Sequence, residues 1–137
     1  MISTLYKATS LLLLLPTLAF GAIGEVTDYS GSGAVERDEG FEVYEVTDGL
    51  GVESMDVVVT EKGKVRIDFI DDTRVDITEH SRLIIDDFVY DPASGEGSLS
   101  LKAGLGTIRY ASGKIAKNSR QRVRIETPSA VVGVRGT

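Results

Sequence analysis

Eight carboxylates crowd one stretch of the chain: Asp68, Asp71, Asp72, Asp76, Glu79, Asp86, Asp87 and Asp91. Calcium takes several oxygen ligands with carboxylates among them, so aspartates on adjacent turns are its natural ligands, and Asp68, Asp71, Asp72 and Asp76 are the candidates here. The EF-hand loop pattern is absent, as is the glycine-aspartate nonapeptide of calcium β-rolls. If Asp71-Asp72-Thr73 closes a three-residue hairpin, Asp68 faces Asp76, with Arg66 and Arg74 on the diagonals. That checkerboard offsets the like charges without a metal. Solvated or salt-bridged faces are therefore the expected reading of the cluster, and no metal or cofactor is assigned.

Other chemistries have fewer residues to work with. The chain has no Cys and one His, which excludes thiol catalysis and multi-histidine zinc sites. A hydrolase acting on envelope glycans would need two carboxylates in one cleft with separated proton affinities, and no spacing here identifies such a pair. No catalytic residue is assigned. His80 sits in the turn-like Thr78-Glu79-His80-Ser81, where an exposed imidazole is expected. The basic segment Lys114 to Arg124 lacks interleaved aromatics and belongs to an acidic chain, which opposes nucleic acid as a partner. Arg122 and Arg124 instead read as the outward face of a strand whose Val123 and Ile125 turn inward.

The elements that would position these groups are strands. Val65-Arg66-Ile67-Asp68-Phe69 and Val75-Asp76-Ile77 alternate apolar and charged residues, as do the segments around Leu99 and Leu101 and around Val123 and Ile125. Further strands are expected over Glu25 to Asp28, Ala34 to Arg37, Phe41 to Val46, Met55 to Thr60, Arg82 to Tyr90, Thr107 to Ala111 and Ala130 to Val134. Turn signals separate them at Gly31-Ser32-Gly33, Asp48-Gly49, Lys62-Gly63, Asp91 to Gly95, Ser112-Gly113 and Asn118-Ser119. No segment after the first 21 residues has a helical period. The pattern predicts an all-β domain of about ten short strands, arranged as a roll, a sandwich or an irregular β-solenoid.

The N-terminus reads as an export signal, with Lys7, the apolar run Leu11 to Leu15, a break at Pro16 and small residues at Ala19 and Gly21. Cleavage after Gly21 would leave residues 22–137 as one small domain, held together without disulfides. No later stretch approaches the length of a transmembrane helix, so the mature chain is expected in the periplasm or at the cell surface. The formal net charge of −6 conceals an asymmetry. Ala22 to Glu96 carries 20 acids and 6 bases, whereas Gly97 onward carries 8 bases and one acid, Glu126. The halves either attract each other within the fold or present surfaces of opposite sign to partners.

Several segments, taken in order, resemble the FecR-like periplasmic domain family, named for the iron-citrate transport regulator. They are Gly33 to Arg37, Asp56 to Thr60, Val65 to Thr73, Ser81 to Leu83, Ile84 to Pro92, Leu99 to Gly104 and Ala111 to Ala116. The closing Thr127-Pro128 and Val132-Gly133-Val134-Arg135-Gly136-Thr137 are the most specific part. The resemblance implies a non-catalytic signalling domain that acts through a protein partner in the periplasm or at the cell surface, with an exposed strand edge as the contact. A calcium-binding structural or adhesive module is the alternative. Within the closing motif, Thr127, Pro128, Gly133, Arg135, Gly136 and Thr137 are expected to be structural, Arg135 pairing with a carboxylate such as Asp56 or Asp87. The family usually has Gly where Asp72 stands, a turn position that favours positive φ. The regulators of this family also carry a cytoplasmic anti-sigma segment and a membrane helix, so the anti-sigma role is not transferred. In the family the chain usually continues after this motif, which implies a further strand or domain beyond Thr137.

Overall fold

A computed structural model describes residues 21–128 and 130–133. The proposed signal sequence and the Val134 to Thr137 end of the closing motif lie outside the described residues. The fold is all-β, as the alternation predicts, and its ten strands form one open sheet. In chain order they are β1 (Ala22–Arg37), β2 (Glu42–Glu45), β3 (Gly51–Glu53), β4 (Val57–Phe69), β5 (Arg74–Ile77), β6 (Arg82–Tyr90), β7 (Gly97–Leu105), β8 (Ile108–Ala111), β9 (Val123–Thr127) and β10 (Ala130–Gly133).

Two of the expected turns are not turns. Gly31-Ser32-Gly33 lies inside β1, which runs 16 residues, and Lys62-Gly63 lies inside β4, which runs 13. These strands pair antiparallel along their lengths, with Gly31 opposite Gly63 and a register shift between Gly31 and Gly33. A methyl group on Gly31 would overlap the Lys62 carbonyl, and one on Gly63 would overlap the Ser30 carbonyl. The two backbones therefore approach more closely than any residue with a Cβ allows, and the ladder bends there.

The bend divides the sheet into two leaves that share β1 and β4. In the first leaf the early half of β1 pairs with β3 and the late half of β4, which pairs with β5, and β5 with β8. In the second, the order is β2, β1, β4, β6, β7, β9 and β10. Both leaves feed a single core. Val26, Ile67, Val75 and Ile77 from the first are fully buried with Val35, Val58, Leu83, Ile85 and Leu101 from the second. Phe69 of the first leaf stacks on Phe88 of the second, ring centroids 5.3 Å apart. Of the three expected architectures, the arrangement is closest to a roll.

The sequence reading missed the link that stitches the leaves together. After β7 the chain crosses to the first leaf as β8, then returns through a short helix, α1 (Lys114–Asn118), and a 3-10 turn at Arg120–Arg122. It re-enters the second leaf as β9, parallel to β7 with Leu99 opposite Val123. The helix is too short to show a period, yet its Ile115 and Ala116 are fully buried. On β9, Val123 and Ile125 point inward while Arg122 and Arg124 are exposed, as the alternation predicts.

Candidate functional site

The four candidate cation ligands do not converge. The loop between β4 and β5 lies one residue earlier than expected, which moves the pairing by two residues: Phe69 N–H donates to the Thr73 carbonyl at 2.8 Å, so Ile70, Asp71 and Asp72 form the loop. Arg66 therefore stands directly opposite Asp76, and Asp68 opposite Arg74, where a like-charge pair was expected. Arg66 Nε lies 2.7 Å from Asp76 Oδ1, and Arg74 Nε lies 2.7 Å from Asp68 Oδ1. Asp68 also accepts a hydrogen bond from Thr27 Oγ1 at 2.9 Å. Hydrogen bonds from Arg74 and Arg66 hold Asp68 and Asp76 respectively below the usual carboxylate range.

Asp71 sets that register. Its side chain is fully buried and accepts hydrogen bonds from Thr73 N, Thr73 Oγ1 and Ile115 N at 3.0, 2.8 and 3.1 Å. Its carbonyl takes Lys114 N at 2.7 Å, so one residue closes the hairpin and caps the first turn of α1. Asp72 is exposed, has φ 69° at the position where Gly was expected, and pairs with Lys114 at 3.3 Å. No group of three or more His, Cys, Asp or Glu side chains able to hold a metal ion occurs among the described residues.

Asp56, proposed from sequence as a partner for Arg135, is occupied by another arginine. Arg37 Nε and Nη2 donate to its two oxygens at 3.0 and 2.9 Å, and Glu53 N donates at 2.8 Å. Asp56 is fully buried, while Arg37 also reaches the Gly51 carbonyl at 3.2 Å, Glu53 at 3.1 Å and the Tyr44 ring, 4.8 Å from its centroid. The hydrogen bonds that Arg37 donates to Asp56 raise its proton affinity further, keeping the guanidinium charged. This bidentate clamp ties the end of β1 to the loop before β4. Asp87, the other carboxylate proposed for Arg135, accepts a hydrogen bond from Ser98 Oγ at 3.1 Å. Arg135, Gly136 and Thr137 themselves lie outside the described residues. Thr127 pairs with Ala130, which puts Pro128 in the tight connection between β9 and β10, and Gly133 pairs with Arg124.

Beyond the clamp lies a free sheet edge. Among the described residues β2 pairs only with β1, through Ala34–Glu45, Val35–Tyr44, Glu36–Val43 and Arg37–Glu42. Val46 N donates to the Gly33 carbonyl, which makes Glu42 and Tyr44 the residues bonded to β1 and turns the N–H and C=O of Val43 and Glu45 to the open side. Asp38, Glu39 and Gly40, all at positive φ, form the preceding loop and present Phe41 and Val43 at 86% and 62% exposure. Asp38, Glu39, Glu42 and Glu45 make no ion pair among the described residues. Alternation identifies β2 as a strand, but only the topology shows it to be an edge. His80 is exposed at φ 50°, its N–H bonded to the Glu61 carbonyl, while the neighbouring Ser81 is buried against Thr60 and Thr107.

No helix among the described residues is long and apolar enough to cross a membrane. No curated protein and no solved structure matches the chain. The model of the family described as FecR protein does match, over residues 55–137, which span β4 to β10 and carry the hairpin, the helix cap and the closing motif. That covers more than half of the sequence, and the chain therefore belongs to the FecR family of regulatory, non-catalytic domains associated with the bacterial envelope.

Proposed function

We propose that the chain is a non-catalytic interaction module of the periplasm or cell surface, exported by its first 21 residues, which binds an extended segment of a partner protein along β2. The observation that supports this reading is the unpaired edge itself. Val43 and Glu45 direct backbone donors and acceptors outward, and Phe41 and Val43 add apolar surface beside them. A partner strand gains main-chain hydrogen bonds from such an edge without any rearrangement of the domain. The four acids along it favour a partner segment carrying Lys or Arg, so binding should weaken as salt rises.

Val43→Pro tests the reading. Proline deletes an outward N–H that β1 does not use, and edge strands tolerate it on that side. The variant should melt near the wild type yet fail to retain the partner that wild-type protein retains from native envelope extracts. Equal retention by both proteins would reject the edge as the contact. Recovery of the bait alone by the wild type would reject the interaction role.

A further inference from the structure

The free edge of β2 carries its side chains in an order that a partner strand must match. Tyr44 stands opposite the buried Val35, so Glu42 and Tyr44 face the core side of the leaf and Val43 and Glu45 face the outer side. The charges nearest the edge on β1 are already engaged. Arg37, opposite Glu42, bonds Asp56 and Glu53, and Glu36, opposite Val43, pairs with Arg82 at 3.7 Å. Glu42 accepts the Tyr44 hydroxyl at 3.0 Å, but neither Glu42 nor Glu45 makes an ion pair among the described residues. Val43, between them, is 62% exposed. The edge therefore reads acid, apolar, aromatic, acid, with its two acids on opposite faces.

We infer that β2 selects an antiparallel partner strand of the pattern basic-x-apolar-basic, with Lys or Arg at both ends and Val or Ile as the apolar residue, which rests on the edge-binding reading above and adds sequence specificity to it. Val43 and Glu45 turn both backbone groups outward, so the partner residues opposite them exchange N–H···O bonds with them and fix the register. Antiparallel pairing is the more stable per residue, and each strand pair from β2 through β1, β4 and β6 to β7 is already antiparallel. In that orientation the first basic residue lies opposite Glu45 on the outer face. The apolar residue covers Val43, and the second basic residue lies opposite Glu42 on the core side. Opposite charges and apolar side chains directly across a ladder stabilise it, whereas a second copy of β2 would bring acids to acids. A parallel strand would meet the same two acids with its apolar residue one place earlier, so residue order separates the orientations.

Titration of the full chain with the peptide acetyl-Thr-Lys-Thr-Val-Lys-Thr-amide, followed by amide shifts, tests the assignment. Saturable shifts centred on Val43 and Glu45 are expected. The reordered peptide acetyl-Thr-Lys-Val-Thr-Lys-Thr-amide should bind about threefold more weakly, and the peptide with Glu for both Lys at least about tenfold more weakly. Glu42→Gln and Glu45→Gln should each weaken the first peptide about threefold, the scale of one exposed cross-strand charge pair. The Glu42→Lys Glu45→Lys variant should prefer the glutamate peptide, and Val43→Pro should bind none of them. No saturable shifts at Val43 and Glu45, an equal or higher affinity for the reordered peptide, or unchanged affinity in the Glu42→Gln Glu45→Gln double variant would overturn the proposal. Its failure is distinct from that of the edge contact. Loss of the envelope partner by Val43→Pro with peptides that bind regardless of order leaves the edge standing and removes the pattern; retention of that partner by Val43→Pro removes both.

Discussion

Two kinds of ion pair hold this domain, and burial separates them. The Asp56 carboxylate is fully buried and bonded by Arg37 through both oxygens. Removing it takes away both charge-assisted bonds from Arg37 and the acceptor of Glu53 N, leaving the guanidinium with Glu53 and the Gly51 carbonyl. Asp56→Ala should therefore cost about 2 kcal/mol in chemical denaturation, the scale of lost charge-assisted hydrogen bonds at a buried acceptor. A loss no larger than that of an ordinary surface substitution would show that the clamp is not structural. Asp68 and Asp76 are partly exposed, and their effect lies in pH dependence. Both are held below the usual carboxylate range by Arg74 and Arg66 in the folded protein. A depressed folded value means that the stabilisation is fully present above about pH 4, the unfolded carboxylate range, and is lost as pH falls through the folded values. Melting followed from neutral pH to about pH 3 should show a loss of midpoint that is shallower in the Asp68→Asn Asp76→Asn variant. Identical profiles would rule out these two pairs as the source.

At the scale of elements, side-chain alternation exposed the inward and outward faces of nearly every strand, because burial of one face imposes period 2 directly on the sequence. Where strands ended was harder to read. Gly31 and Gly63 carry the composition of turns, but their lack of a Cβ serves a close crossing of two long strands. Gly31→Ala should destabilise by about 2 kcal/mol or more, since φ is 72° and the added methyl meets backbone that has no rotamer to yield. A neutral result in equilibrium unfolding would mean that the crossing can relax. The helix α1 escaped notice for a different reason. Its initiating cap is Asp71, 44 residues earlier in the chain, and a long-range cap leaves no local signature. The same buried aspartate moves the β4–β5 loop by one residue and the pairing by two, which turns an expected diagonal charge pattern into direct pairs.

Across the whole molecule, the two oppositely charged halves meet along two strand pairs. The acidic half, Ala22 to Glu96, forms β1 to β6 and the basic half forms β7 to β10; β7 pairs with β6 and β8 with β5, and Lys102–Asp86 and Lys114–Asp72 join the halves among the described residues. These pairs match part of the basic half within the fold, while Glu42 and Glu45 of β2 make no ion pair among the described residues. The acids of the Asp68 to Asp76 hairpin, by contrast, are committed to arginine, lysine and backbone donors. Millimolar calcium should therefore leave the melting midpoint where chelator leaves it, and a raised midpoint would restore the calcium-binding alternative, because a ligand bound only by the native state stabilises it. Sequence by itself determined the all-β class, the inward faces, the absence of thiol and multi-histidine chemistry, and the family resemblance, each of which is written in local pattern or residue type. Tertiary structure alone decided which carboxylate meets which cation, which strand is an edge, and where three strands bring Arg66, Asp76 and Arg109 into one row. Those outcomes depend on register and on contacts between residues far apart in the chain, and a one-residue shift in register changes which side chains stand opposite one another.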